Sequence, residues 1–212
     1  MTAPQVTQAK KAPPVRDDKF AARRAELSEA ALTTLAALGY ARTSLREIAQ
    51  NSAFSHGVLH YYFSDKVDLI VCSVRQYKAR CVTRYDQVTV EAQSYDELLT
   101  GFLDGLADTL RREAPMHRLW YDLRAQALFE EAFRGDVMDI DQSLESMIWR
   151  VISRFAELTG TSHGLSPRAA YALFDGLFQQ ALLRHLSGDA QAVPSLQAQA
   201  RQAIDHLFSR SL

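Results

Sequence analysis

Cysteine is scarce, with only Cys72 and Cys81 among 212 residues. The two lie nine positions apart in a stretch that reads as one helix. Nine steps of about 100° set them on opposite faces, which excludes a bridge between them within that helix. Both suit structural roles in a reducing cytosol. Long apolar runs are missing too: no segment approaches the roughly 20 residues needed to span a bilayer. The opening MTAPQVTQAKKAPPVRDD has no apolar segment of the secretory kind and reads as a disordered arm, so a cytoplasmic location without a membrane partner is expected. Alternating β-branched runs bounded by glycine turns are lacking, which excludes a sheet. G-x-G-x-x-G, Walker and G-x-S-x-G patterns are absent, and the histidines are scattered. These absences leave no catalytic constellation and no cofactor to expect, and point to a chain that is not an enzyme.

What remains is helix, in a chain long enough to bury a large core. The formal net charge of −1 conceals an asymmetry. Residues 1–66 carry nine basic against six acidic side chains, and the rest is acidic on balance. A mildly basic N-terminal third suggests that only this part meets a polyanion. A first helix is expected from about Asp18 to Leu38, stopped by Gly39, with a stripe of Leu27, Ala30, Ala31, Leu35 and Leu38. Ser44-Leu45-Arg46-Glu47 is a capping box for a short second helix. Ser55 caps a short third helix, and Ser64 or Asp65 caps a fourth reaching Val88. Ser94 opens another, Pro115 sits as a first-turn proline ahead of MHRLWYDLRAQALF, and later helices end at Gly160, open at Ser166-Pro167 and open again at Pro194.

A helix of about seven residues is marginal alone, so the short pair depends on packing. With Leu59 and Phe63 committed inward, Ser55, His56, Gly57, His60 and Tyr61 are left outside. That surface is rich in hydroxyl, imidazole and phenol groups and suits base edges and phosphates in a major groove. His56 and His60 share the i, i+4 spacing of metal ligands, but no H-E-x-x-H arrangement surrounds them, and no metal is expected.

The stretch LSEAALTTLAALGYARTSLREIAQNSAFSHGVLHYYFSDKVDLI resembles the DNA-binding domain of TetR-family transcriptional regulators. Gly39-Tyr40, Thr43-Ser44, Ile48-Ala49, Gly57, Tyr61, Phe63 and Lys66 stand at family spacing. The resemblance implies an all-α fold of about nine helices: a disordered arm over 1–17, a three-helix helix-turn-helix domain over 18–66, and a larger ligand-binding and dimerisation domain over 67–212. It implies phosphate contacts from Thr43, Ser44, Arg46 and Lys66, groove contacts from Ser55, His56, Gly57 and His60, and further contacts from Tyr61 and Tyr62. The implied function is a ligand-released repressor, a homodimer on a palindromic double-stranded DNA operator with a small-molecule effector. A helical ligand-binding protein without specific DNA binding is the alternative, favoured only by the unusual Ala53-Phe54 turn. Lys10, Lys11 and Arg16 of the arm either enter a minor groove or only solubilise the chain.

By the same analogy His117, Trp120, Tyr121, Arg124 and Trp149 surround a cavity for an apolar or aromatic effector, with Arg150 a further anchor. A solid aromatic core is the competing reading. Phe174, Leu177, Phe178, Ala181 and Leu182, with Ile204 and Leu207, form stripes expected to build a four-helix dimer interface; packing within one chain is the alternative.

Overall fold

A computed structural model describes residues 17–161 and 164–208. The arm with Lys10, Lys11 and Arg16 lies outside the described residues. Among those described there is no strand, and nine α-helices follow in order. They are α1 (Asp17–Leu38), α2 (Leu45–Gln50), α3 (His56–Tyr62), α4 (Lys66–Cys81), α5 (Asp86–Glu91), α6 (Tyr95–Gln126), α7 (Arg134–Thr159), α8 (Pro167–Leu186) and α9 (Ala192–Phe208). A single 3₁₀ turn, Glu131–Phe133, precedes α7. No helix among the described residues is long and apolar enough to cross a membrane.

Local chemistry sets most helix starts. The Ser44, Ser55, Ser94 and Ser166 hydroxyls each accept the backbone N–H three residues on, and the Asp65 carboxylate, rather than Ser64, does the same for α4. Each such cap satisfies one of the donors a helix start leaves orphaned. The first helix ends where Gly39 turns to a φ of 76°, a conformation that costs glycine little. Its buried stripe is Leu27, Ala31, Leu32 and Leu35, while Ala30 and Leu38 face outward.

Two expected boundaries are wrong, for different reasons. The fourth helix stops at Cys81 instead of reaching Val88, and the chain turns before α5. Tyr85 and Val88 then lie against Gly105 and Gly101 of α6, so closely that a Cβ at either glycine would sit 2.6 Å and 2.2 Å from them. Pro115 opens nothing: it stands inside α6. An interior proline costs about 3 kcal/mol. Here its ring faces solvent, and the buried run of Phe102, Leu106, Leu110, Leu119 and Leu123 holds the helix on both sides of it.

The core is continuous. Leu27, Leu35, Ile48, Leu59 and Phe63 close the N-terminal helices, and Phe102, Leu110, Trp120, Phe155 and Ile204 lie in the body of the same cluster. The stripes assigned to a dimer need correction. Phe174, Phe178, Ala181, Leu182 and Ile204 are buried inside one protomer, and Leu177 and Leu207 are half-buried against that core. Packing among α6, α7, α8 and α9 covers the five buried residues, which are not available to a second copy, whereas Leu177 and Leu207 keep part of their surface outside. The outward apolar residues of α8 are instead Leu173, Leu183 and Leu186.

Candidate nucleic-acid interface and the cavity behind it

Leu59 and Phe63 are sealed in the core, at 0% and 1% exposure. Helical periodicity therefore turns the rest of α3 outward. Ser55, His56, Gly57, His60 and Tyr61 are all exposed, Tyr61 at 71%. A Cβ at Gly57 would meet nothing within 4 Å, so another backbone can approach closely there. The His56 and His60 rings lie edge to face, with their Nε2 atoms 3.0 Å apart. Tyr62 is half-buried against Phe20, whose ring centroid is 4.8 Å away.

Second-helix and flanking residues divide. Ser44 and Arg46 are exposed, although the Ser44 hydroxyl is engaged with the backbone N–H and carboxylate of Glu47. Thr43 is a correction: it is only 3% exposed, and its hydroxyl donates to the Gly39 carbonyl at 2.6 Å. A β-branched side chain tucked under the end of α1 has no path to a phosphate. Lys66 also turns inward, donating to the Tyr40 carbonyl at 3.2 Å with its ammonium 3.9 Å above the Tyr40 ring. The Ala53-Phe54 turn proves unstrained. Among the described residues no side chain other than glycine adopts positive φ, and the Phe54 ring packs beneath the Arg23 guanidinium.

Sequence reasoning missed what fixes α3 in place. Arg24 of α1 donates to the Tyr62 carbonyl at 2.6 Å, pairs with Asp68 of α4 at 2.6 Å, and lies over the Phe63 ring. The Arg24 hydrogen bond holds the Asp68 carboxyl below its usual range. One guanidinium thus ties three helices together. The signal was faint: an arginine on the half-buried edge of α1, one turn after Phe20.

Behind this domain, α4, α6, α7 and α8 enclose a cavity of about 70 Å³. Of the residues expected there, His117, Trp120 and Tyr121 are on its wall. Arg124 and Trp149 are not. Arg124 lies behind the wall, bonded to Asp175 and Asp141, and Trp149 is half-buried against the core on another side of α7. Arg150 is exposed and pairs with Asp86. The sequence reading overlooked Lys78, which reaches the wall from α4 at 3% exposure. Its place between Val74 and Cys81 on an apolar helix face was the available clue.

The electrostatics of the wall are specific. Burial lowers the Lys78 ammonium to a pKa of about 8 and drives His117 well below the ordinary imidazole range, with Lys78 and Arg84 reinforcing that fall. Burial, together with Asp175, raises the Tyr121 phenol. Cys81, Glu113 and His117 bring ligand-type atoms within 4.8 Å of one another. Yet Arg84 already bonds Glu113 at 2.7 Å and reaches the Cys81 sulfur at 3.6 Å, while Lys78 faces His117. Two resident cations make the cluster a poor host for a third.

The N-terminal domain and the cavity share parts. Successive residues of α6 look both ways: His117, Trp120 and Tyr121 on the cavity, Arg118 and Asp122 toward α1. Arg118 donates to the Ala36 carbonyl at 2.5 Å, and the Tyr40 N–H donates to Asp122 at 2.7 Å. The Tyr40 hydroxyl donates to Glu130, and its ring meets Phe133.

Residues 27–71 match the family model for bacterial regulatory proteins of the tetR family. Over 174 residues the chain is 28% identical to the HTH-type transcriptional regulator YfiR of Bacillus subtilis, covering 76% of this chain and 80% of that one. It is 25% identical to the HTH-type transcriptional regulator BetI of Paraburkholderia phymatum, over 89% of this chain and 94% of that one. Its fold matches the crystal structure of a TetR transcription regulator from Haloarcula marismortui with a TM-score of 0.71 and 20% identity, over 88% of this chain and 99% of that chain.

Proposed function

From the premise that the chain belongs to the tetR family of bacterial regulatory proteins, helix-turn-helix regulators of transcription, we propose a ligand-released repressor that grips a palindromic operator as a homodimer. The carrying observation is the outward face of α3, where His56, Gly57, His60 and Tyr61 project from a helix braced by Leu59 and Phe63. Imidazole and phenol groups offer donors, acceptors and apolar edges at the depth where a recognition helix meets base pairs. Ser44 and Arg46 flank it on the phosphate side, and Tyr62 serves as a brace. Thr43 and Lys66 act from inside, by shaping the α1–α2 turn and anchoring α4.

The reading of release rests on α4 and α6. The first runs from Lys66 in the N-terminal domain to Lys78 and Cys81 at the cavity. The second holds the cavity on one side and the end of α1 on the other, through Arg118 and Asp122. A ligand that spreads the cavity moves both helices and re-aims α3. Its leverage equals its differential affinity for the two arrangements, typically about 1–3 kcal/mol.

A dimer is supported by weight of charge as much as by shape. One short helix on a mildly basic domain makes few phosphate contacts and binds weakly alone. Two linked copies gain roughly 10²–10⁴ through effective concentration. The outward face of α8 suits the contact: exposed Leu183 and Leu186 border a groove shared with Arg118 and Asp122 of α6, and nothing lies within 4 Å of a Cβ at Gly176. Selection from genomic fragments with the purified protein, followed by gel shifts on half and full sites, tests the proposal. Equal affinity for half-site, full site and random duplex refutes it.

A further inference from the structure

Lys78 is the most unusual group in the body. Its ammonium is buried in the cavity wall, and its one hydrogen-bond partner among the described residues is His117 Nδ1, at 3.4 Å. The Trp120 and Tyr77 rings lie 5.0 Å and 5.5 Å from it. A buried cation ordinarily has a carboxylate beside it. Here each carboxylate in reach is bonded elsewhere. Glu113 accepts from Arg84 and Tyr77, Asp175 from Arg124 and Tyr121, and Asp141 from Tyr171, with Arg124 alongside.

Two further donors share this condition. With Lys78 donating to Nδ1, the His117 ring carries its proton on Nε2, and that atom is buried without a partner. Trp120 Nε1, which can only donate, is likewise buried and unpaired. Unmet buried donors are costly. Two of them beside an ammonium that has no carboxylate of its own, with an apolar wall of Leu144, Met147, Ile148 and Phe178 on the α7 and α8 side, describe the complement of an acid with a hydrocarbon tail.

We propose that the cavity is a receptor for a small monocarboxylate with a short acyl chain, its carboxylate seated against Lys78 and the unpaired N–H groups of His117 and Trp120. The inference rests on the ligand-released reading and gives the effector its chemical class. Size supports the short chain: about 70 Å³ holds a few water-sized groups, whereas an engineered cavity that admits benzene has about 150 Å³.

The test uses the full chain without DNA and three probes of matched shape: butyrate, butyramide and n-butylamine. Saturation-transfer NMR and melting curves are read for wild type and for Lys78→Met, a variant of similar length with no buried charge. Butyrate should bind at least about ten-fold more tightly than the amide, with the preference lost in Lys78→Met while its circular dichroism is unchanged. Should that variant not fold, Lys78→Gln serves in its place, and the wild-type comparison stands by itself. The proposal is overturned by equal binding of acid and amide, by preference for the amine, by an acid preference that survives removal of Lys78, or by no butyrate signal up to about 10 mM. Because no DNA is present, a failure of operator control leaves this result intact, and the two readings fail separately.

Discussion

At the scale of single residues, exposure and chemistry separate the side chains proposed to read DNA from those that hold α3 in place. Tyr61 and His60 are exposed, so Tyr61→Ala and His60→Ala should each lower operator affinity about 10-fold or more. A good base contact is worth about 1–3 kcal/mol. Melting temperature and dimer mass should stay unchanged; retained affinity on a selected site counts against α3 as the recognition helix. Arg24 makes the opposite case. Its contacts are to Asp68 and the Tyr62 carbonyl, so Arg24→Met should lower stability first and operator affinity through it. Acid has a related effect. Asp68 is held below its usual range by Arg24, so its contribution is present above the ordinary aspartate range and is lost as pH falls through its lowered value. Thermal melts from pH 6 down to about 3 should show Arg24→Met converging on wild type at the acid end.

Lys78 carries a second pH signature: stability again rises with pH, but here because a penalty is relieved rather than a contribution gained. Burial brings its pKa from 10.5 down to about 8, so the unfolded chain binds the extra proton between those values. The penalty is therefore fully present below about pH 8 and disappears as pH rises toward 10.5. Its size is roughly 3 kcal/mol by the linkage relation. Lys78→Met should melt higher than wild type at pH 7, with the gap closing near pH 10.5. A gap that is constant with pH is incompatible with a desolvated ammonium. Cys81, Arg84, Glu113, His117 and Asp175 face the same space, so the comparison with wild type isolates the lysine.

At the scale of elements, the close packing of α5 on α6 reverses an ordinary expectation. Replacing glycine with alanine inside a helix usually stabilises it by about 1 kcal/mol. At Gly105 the new methyl would lie 2.6 Å from a ring carbon of buried Tyr85, and overpacking of this kind costs about 1–3 kcal/mol. Gly105→Ala should therefore be neutral to destabilising, read as a lowered denaturant midpoint; a gain near 1 kcal/mol would show that α5 is free to shift. Between the domains the decisive element is α6. Asp122→Ala removes the acceptor of the Tyr40 N–H without touching the cavity wall. It should leave ligand affinity unchanged while reducing the fold-change that ligand produces in operator binding.

At the scale of the whole molecule, the surface left over by the protomer core decides assembly. Leu183→Glu places a charge on the outward face of α8, where the leucine is 69% exposed. The folded monomer should tolerate it, whereas a dimer built on that face should dissociate in sedimentation and lose its advantage on a full palindrome. A dimer of unchanged mass would move the interface elsewhere. How much of this architecture was legible beforehand follows element by element. The serine caps, the Gly39 stop and the periodic stripes marked most helices because those signals act within one or two turns of chain. The end of α4 and the uninterrupted course of α6 were not legible: the first goes with the packing of α5 on Gly101 and Gly105, the second with burial of α6 on both sides of Pro115, and no local pattern carries either. Thr43 and Lys66 looked like phosphate ligands by type and position, and only the Gly39 and Tyr40 carbonyls that claim them turn them inward.

What the chain's own order of residues determined is its helical class, its short α2–α3 pair and the outward identity of His56, His60 and Tyr61. Those follow from capping chemistry and a 3.6-residue period, which are local. Tertiary structure alone decided which apolar stripes close one protomer, which charged groups are paired, and that Lys78 reaches a cavity with no carboxylate of its own. Burial and pairing are set by distant segments arriving at the same place, and no spacing along the chain records where they meet.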